Sequence, residues 1–330
     1  MFGPVSPARA RFTAAVFSGA ALAGVIGAYG CEKTYSSGPP DGVGEVMQRE
    51  VYWSPDGTST SIPASGGPGA APKVLPAFPG AVGFAGGITG GRGGAVYKVT
   101  NLKTSGPGSL QAALDAAEPR MIVFDVSGVI EGDVVINQGN VTIAGQSAPG
   151  AGITIKGRLI AAYRAGVDNI IVRHVRVHPV YDGSVPGDQF DALQMSKSRQ
   201  ILLDHLTVTG GVDETIDLWE ASVITVMNSA IVFSAIKGHY EGMHNYGLIN
   251  GPDGGQITVY RNYWAHHDNR CPALASGPAE VINNVAYDVH HAFVHHNPAK
   301  GPFVITGNFY KDGPAAKLHP LWFDDENGYE

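Results

Sequence analysis

Two cysteines in 330 residues cannot staple a domain. If Cys31 is lipidated or removed with a leader, only Cys271 is left, and no intramolecular disulfide can form. Charge is sparse as well, with Asp, Glu, Lys and Arg making up 15% of the chain. Arg9 and Arg11 are the only charges before Cys31, so the 22 basic residues fall to 20 beyond it, against 29 acidic ones, a net charge of -9. Phosphate backbones demand the opposite balance, which argues against nucleic acid as a partner. The glycine-rich stretch GITGGRGG at 87–94 is followed by no Lys-Ser/Thr and by no helix signal, which excludes a phosphate loop. None of the twelve histidines is spaced HxxxH or HExxH on a helix, so a zinc-hydrolase motif is missing too. The one extended apolar run, Phe12 to Ile26, is short and interrupted by glycines, which fits an export signal better than a membrane span.

What is abundant is turn-forming residues. Forty-five glycines and 22 prolines, with 44% hydrophobic residues, point to an all-β protein with a large core. Residues 1–31 read as a signal peptide of the lipoprotein type. Gly30-Cys31 resembles a bacterial lipoprotein cleavage box, with Ala28 where Leu is usual, and so predicts lipidation of Cys31; ordinary cleavage at a small residue is the alternative. Residues 32–74, rich in Gly, Pro, Ser and Ala, read as a tether that cannot bury much. The folded domain is expected over 75–314 and a C-terminal tail over 315–330. A monomeric, secreted or outer-membrane bacterial lipoprotein follows, touching a membrane only through the lipid on Cys31.

One helix is signalled. Ser109 is its N-cap, Leu110, Ala113, Leu114 and Ala117 make one face, and Pro119 ends it. After it come only short β-branched runs, several closing on the same residue type: IIVRH at His174, ILLDH at His205, ITVMN at Asn228, TVYRN at Asn262, EVINN at Asn284 and VITGN at Asn308. The steps between these ends are 31, 23, 34, 22 and 24 residues. A base step near 23 with two enlarged intervals, and no helix in each unit, predicts a parallel β-helix capped by the short helix, with the asparagines stacked at one turn. The enlarged intervals would carry the binding surface. One holds Asp188 and Asp191, the other Lys237, His239, Glu241 and His244.

In DHLTVTGGVDETIDL, 204–218, three acids, Asp213, Glu214 and Asp217, follow a Gly-Gly break. Acids gathered past a turn suggest a hard cation such as Ca²⁺, which takes about six to eight oxygens, so Asp188 or Asp191 would have to join them from upstream. The histidines are read as structural or substrate-lining.

PGSLQAAL at 107–114, PRMIVFDVSGVI at 119–130, DAL at 191–193, LLDHLTVTGGVDETIDL at 202–218, RNYWAHHDNRCP at 261–272 and INNVAYD at 282–288 together resemble the pectate lyases of the first polysaccharide lyase family, bacterial secreted branch. The resemblance implies a right-handed parallel β-helix, Ca²⁺ in a groove on its side, and cleavage of the acidic plant cell-wall polymer polygalacturonate by β-elimination to 4,5-unsaturated products. Carried over by motif, Asp191, Asp213 and Asp217 would bind calcium, Arg270 of the Arg-x-Pro would take the C5 proton, and Lys237 would hold the substrate carboxylate. His239 and His267 are assigned to substrate binding. Two departures stand out: Gln189 replaces a second aspartate, and Ala273, Leu274 and Ala275 stand where a second basic residue is expected. An arginine base implies an alkaline optimum. Cys271 is read as a buried bystander. Two other readings stay open: a polygalacturonate hydrolase using paired carboxylates, and a lipoprotein that binds acidic polysaccharide through calcium without cleaving it.

Overall fold

The computed structural model describes residues 75–163, 167–315 and 317–323; the signal segment, Cys31 and the tether lie outside them. The described chain winds through three parallel sheets of nine, eight and eight strands, with paired residues of neighbouring coils 21 to 34 positions apart. The first sheet runs from Ala95–Val99 to Phe303–Thr306, the second from Gly128–Glu131 to Phe309–Lys311, and the third from Val134–Ile136 to His319–Phe323. This is the all-β parallel β-helix expected from the 23-residue step.

Because strand side chains alternate in direction, every second residue of a coil enters the interior and meets its counterpart one coil away. In the first sheet one such file reads Ile122, Ile143, Val172, Leu203, Val226, Val259, Val281 and Ile305. All but the last are essentially inaccessible to water. Trp264 and Phe293 fill the wider parts of the same core.

Three of the four asparagines stack as expected, while Asn228, His174 and His205 fall one residue earlier in the coil. The corner between the first and second sheets is made by His174, His205, Asn228, Arg261 and Asn283, all with φ between 51° and 57°, a left-handed conformation that histidine and asparagine tolerate better than branched residues. The ladder proper is Asn262, Asn284 and Asn308, the residues just past that corner. Asn284 Oδ1 accepts from the Asn262 backbone N at 2.9 Å, and Asn308 Oδ1 from the Asn284 N at 2.9 Å. Their Nδ2 groups donate to the carbonyls of Val226, Val259 and Val281 at 2.8–2.9 Å. The simple alignment merged two neighbouring files because both fall at the same bend.

The helix is present but short, Leu110–Leu114, with the Ser109 hydroxyl accepting from the Ala112 N at 3.2 Å. It stops at Asp115 rather than running to Ala117. Buried Arg120 takes its last carbonyls from the side, Nε to Ala113 O and Nη2 to Leu114 O at 2.7 Å each, and also reaches the carbonyls of Gln138 and Gly139 at 3.0 Å. One guanidinium thus ties the helix end to the first coils.

Residues 75–94 lie as a strap along the outer face of the first sheet. Their backbone donates to Thr258 Oγ1 from Phe84 (3.2 Å), to Thr225 Oγ1 from Ala85 (3.1 Å), to Asn169 Oδ1 from Gly90 (2.7 Å) and to Thr142 Oγ1 from Gly91 (3.0 Å). Ala85 and Ile88 pack on Ile171 and Leu202. A Cβ on Gly91 would stand 1.7 Å from the Arg120 carbonyl, so the glycine run serves close approach to the sheet. At the other end the solenoid outlasts the expected boundary at 314: His319–Phe323 is a strand of the third sheet, inside the stretch read as a tail.

Candidate active site

The acids gather where the strands of the third sheet begin. Register pairs Leu193 with Ile216, which sets Asp191 beside Glu214, and the Asp191 Oδ1 accepts the Glu214 N–H at 3.0 Å. The next coil brings Tyr246 alongside Glu214, and the one after brings Asn269 and Arg270. Gly210, with φ of +82°, turns the chain into this position, and a Cβ on Gly211 would lie 1.9 Å from the Glu214 carbonyl. The Gly-Gly break is thus what lets the loop fold onto its own acids.

The side-chain oxygens of Asp191, Asp213 and Glu214 lie within 4.8 Å of one another. Burial pushes Asp191 far above the ordinary carboxylate range, aided by the charges of Asp217, Glu214 and Asp213. Burial likewise raises Glu214, against the pull of Arg270. Arg270 Nη1 is bonded to Glu214 Oε1, and its guanidinium carbon lies 4.4 Å from the centre of the Tyr246 ring. The three groups of this cluster are carboxylates, two of them buried, and an all-oxygen donor set fits a hard cation of the calcium type better than a soft one.

A loop from Phe233 to Asn245 walls the site with flat groups. The His239 and His244 rings stack at 3.9 Å, and His244 lies 3.8 Å from the Tyr246 ring, centroid to centroid. His244 Nε2 is 2.9 Å from Asp213 Oδ1, yet out of line for a hydrogen bond. His239 Nδ1 accepts from the Glu241 N at 3.1 Å, so its proton is on Nε2, 3.7 Å from Asp213 Oδ1. Asp213, His239 and His244 also bring one donor atom each within 4.8 Å of one another, but two near-parallel imidazoles aim poorly at one ion, and neither ring hydrogen-bonds Asp213.

No family model matches the chain. Among curated proteins it is 37% identical over 252 residues to the probable pectate lyase C of Aspergillus fumigatus, covering 74% of this chain and 56% of that protein. The probable pectate lyase C of Aspergillus terreus is 36% identical over 251 residues, covering 74% and 57%. The chain therefore spans about half the length of the curated relatives it matches. A solved structure, that of the thermostable pectate lyase PL 47, superposes with a TM-score of 0.52 at 17% identity, covering 78% of this chain and 86% of that one. The chain has the pectate lyase fold. These curated relatives are fungal, and nothing in them carries the expected bacterial branch.

Of the residues that the pectate lyase resemblance points to, Asp191, Asp213 and Arg270 come together. Asp217 does not join the carboxylate cluster, because Glu214–Asp217 is a straight strand that carries it away from the turn. Its oxygens are already engaged: Oδ2 accepts from Ser196 Oγ at 2.5 Å and Gln194 Nε2 at 3.0 Å, and Oδ1 from the Trp219 N at 2.7 Å. Glu214 stands in its place. Lys237 is exposed on the Phe233–Asn245 loop. Cys271 is buried, and burial raises its thiol well above the ordinary value, as a bystander requires.

His267 is not a substrate contact. It is 2% exposed, its Nε2 donates to the Ile231 carbonyl at 2.9 Å and its Nδ1 takes the Ser234 hydroxyl at 2.7 Å. Burial lowers its pKa to about 4. Its folded value lies below the unfolded value of about 6.5, so the unfolded chain binds the proton more readily and stability falls as pH drops from about 6.5 to about 4. The expected loss is at most about 3 kcal/mol. Thermal melts of wild type and His267→Gln across that interval check it: the gap between them should narrow toward pH 4, and a constant gap would contradict it.

Proposed function

We propose that this chain cleaves de-esterified polygalacturonate by calcium-dependent β-elimination. The observation that carries the reading is Arg270 paired with Glu214, which shares a cluster with buried Asp191 and half-buried Asp213 at the start of the third-sheet strands. Support comes also from relatives that bear the name probable pectate lyase C.

Asp191, Asp213 and Glu214 are the residues that would hold calcium through their oxygens. When bound, the ion supplies Lewis-acid stabilisation of the uronate carboxylate and offsets repulsion between an acidic protein and an acidic polymer. Arg270 takes the proton from C5 of the sugar. Lys237, exposed on its loop, pairs with the adjacent carboxylate while negative charge builds there. As the C4–O4 bond breaks, its electron pair leaves with the oxygen and a C4–C5 double bond remains. No water enters the step, so the paired carboxylates of a hydrolase have no task.

The test is ultraviolet absorbance of the purified protein with polygalacturonate at alkaline pH, with calcium and with chelator. A calcium-dependent rise marks the unsaturated end. New reducing ends without absorbance would instead mean a hydrolase, and calcium-dependent retention on the polymer with neither signal would mean a binding protein.

A further inference from the structure

Arg270 has no freedom to meet a sugar as long as Glu214 holds it. Glu214 is 4% exposed, belongs to the carboxylate cluster, and also carries the ion pair with Arg270. One buried carboxylate is thus claimed by two positive partners, and a divalent cation and a guanidinium on the same group repel each other. Arg270 has a second support that does not depend on Glu214. Its guanidinium carbon lies 4.4 Å from the centre of the Tyr246 ring, a cation–π contact. That ring is itself wedged by His244 on the loop side.

We propose that Glu214 is a clasp that exchanges partners: without a divalent cation its carboxylate holds Arg270, and with one it turns to the Asp191–Asp213 cluster and leaves Arg270 resting on Tyr246 alone, open to the groove. The inference rests on the calcium reading of that cluster. It makes Glu214 a positioning residue for the arginine as well as a cation ligand, so that the base becomes available only where the cation is also in place. A carboxylate at 217 could not do this, since its oxygens are committed to Ser196, Gln194 and Trp219.

The measurement is the rate at which an arginine-specific dicarbonyl modifies Arg270, read by peptide mass mapping, with calcium or with chelator. Exposed Arg199 serves as internal reference, and calcium binding is followed in parallel by calorimetry. If the clasp is closed in about nine chains of ten, calcium raises the Arg270 rate about tenfold and leaves Arg199 unmoved. Glu214→Gln should react fast in chelator already, with no further rise. Asp191→Asn, whose amide oxygen can still accept the Glu214 N–H, should bind calcium poorly and keep Arg270 slow in both conditions. Calcium binding without any change at Arg270 overturns the clasp and leaves the calcium reading standing. An absence of calcium binding overturns both.

Discussion

Arg270→Ala is expected to lower turnover of polygalacturonate by about 10³-fold, the usual range for removing a positioned base. The loss should fall on kcat, because Lys237 and the carboxylate cluster would still bind the uronate. Arg270→Lys should recover little, since an ammonium lacks the planar face by which the guanidinium rests on the Tyr246 ring. The substitution also has a signature apart from activity. It leaves Glu214 buried without its ion-pair partner, a costly state. In chelator the variant should therefore melt lower than wild type, and calcium should close most of that gap by giving the carboxylate a new partner. Steady-state absorbance kinetics and thermal melts with and without calcium measure the two effects. A variant with unchanged kcat would remove Arg270 from the chemistry.

Asn284→Ala is expected to cost about 4 kcal/mol of folding stability, given that each stranded buried polar group costs about 1–3 kcal/mol and the costs do not simply add. The side chain accepts from Asn262 N and Nδ2 at 2.9 and 3.1 Å and donates to Val259 O and Asn308 Oδ1 at 2.9 and 3.0 Å. Truncation takes these bonds from the Asn262 N–H and the Val259 carbonyl outright and one of two bonds each from Asn262 Nδ2 and Asn308 Oδ1, which keep Val226 O and the Asn284 N–H. Asn284→Asp is no milder, because its second oxygen would face the Asn308 Oδ1 where an N–H now donates. Urea unfolding checks both; a midpoint within a few tenths of a molar of wild type would show that the ladder carries little.

The solenoid was legible because its period is a backbone property: each coil must return to the same three sheets, and β-branched runs recur at that step. The same period held the better answer for the acids. Asp191 and Glu214 are 23 residues apart, one base step, and therefore neighbours across a ladder. Motif matching drew attention instead to the four-residue spacing of Asp213 and Asp217, which a straight strand separates. His267 could not be told from a surface histidine, since the pattern around it does not show that Ser234 and the Ile231 carbonyl close over it. The last strand escaped notice for a chemical reason. His319–Phe323 contains Pro320, which argues against a strand in a sheet interior but is tolerated at an edge, and this strand is the edge of the third sheet.

The strap at 75–94 fixes an order of events during folding. Ala85 is bonded to Thr225, 140 positions later in the chain, and Phe84 to Thr258, 174 positions later. A polypeptide that emerges N-terminus first makes the strap long before it makes the surface the strap lies on. Early coils can stack as they appear, since each needs only its neighbour, while the strap that precedes them all must wait for coils made much later before it is fully seated. Its full docking is a high-contact-order event that waits for the coil carrying Thr258, and until the strap is seated the outer faces of Ile171 and Leu202 stay bare to water.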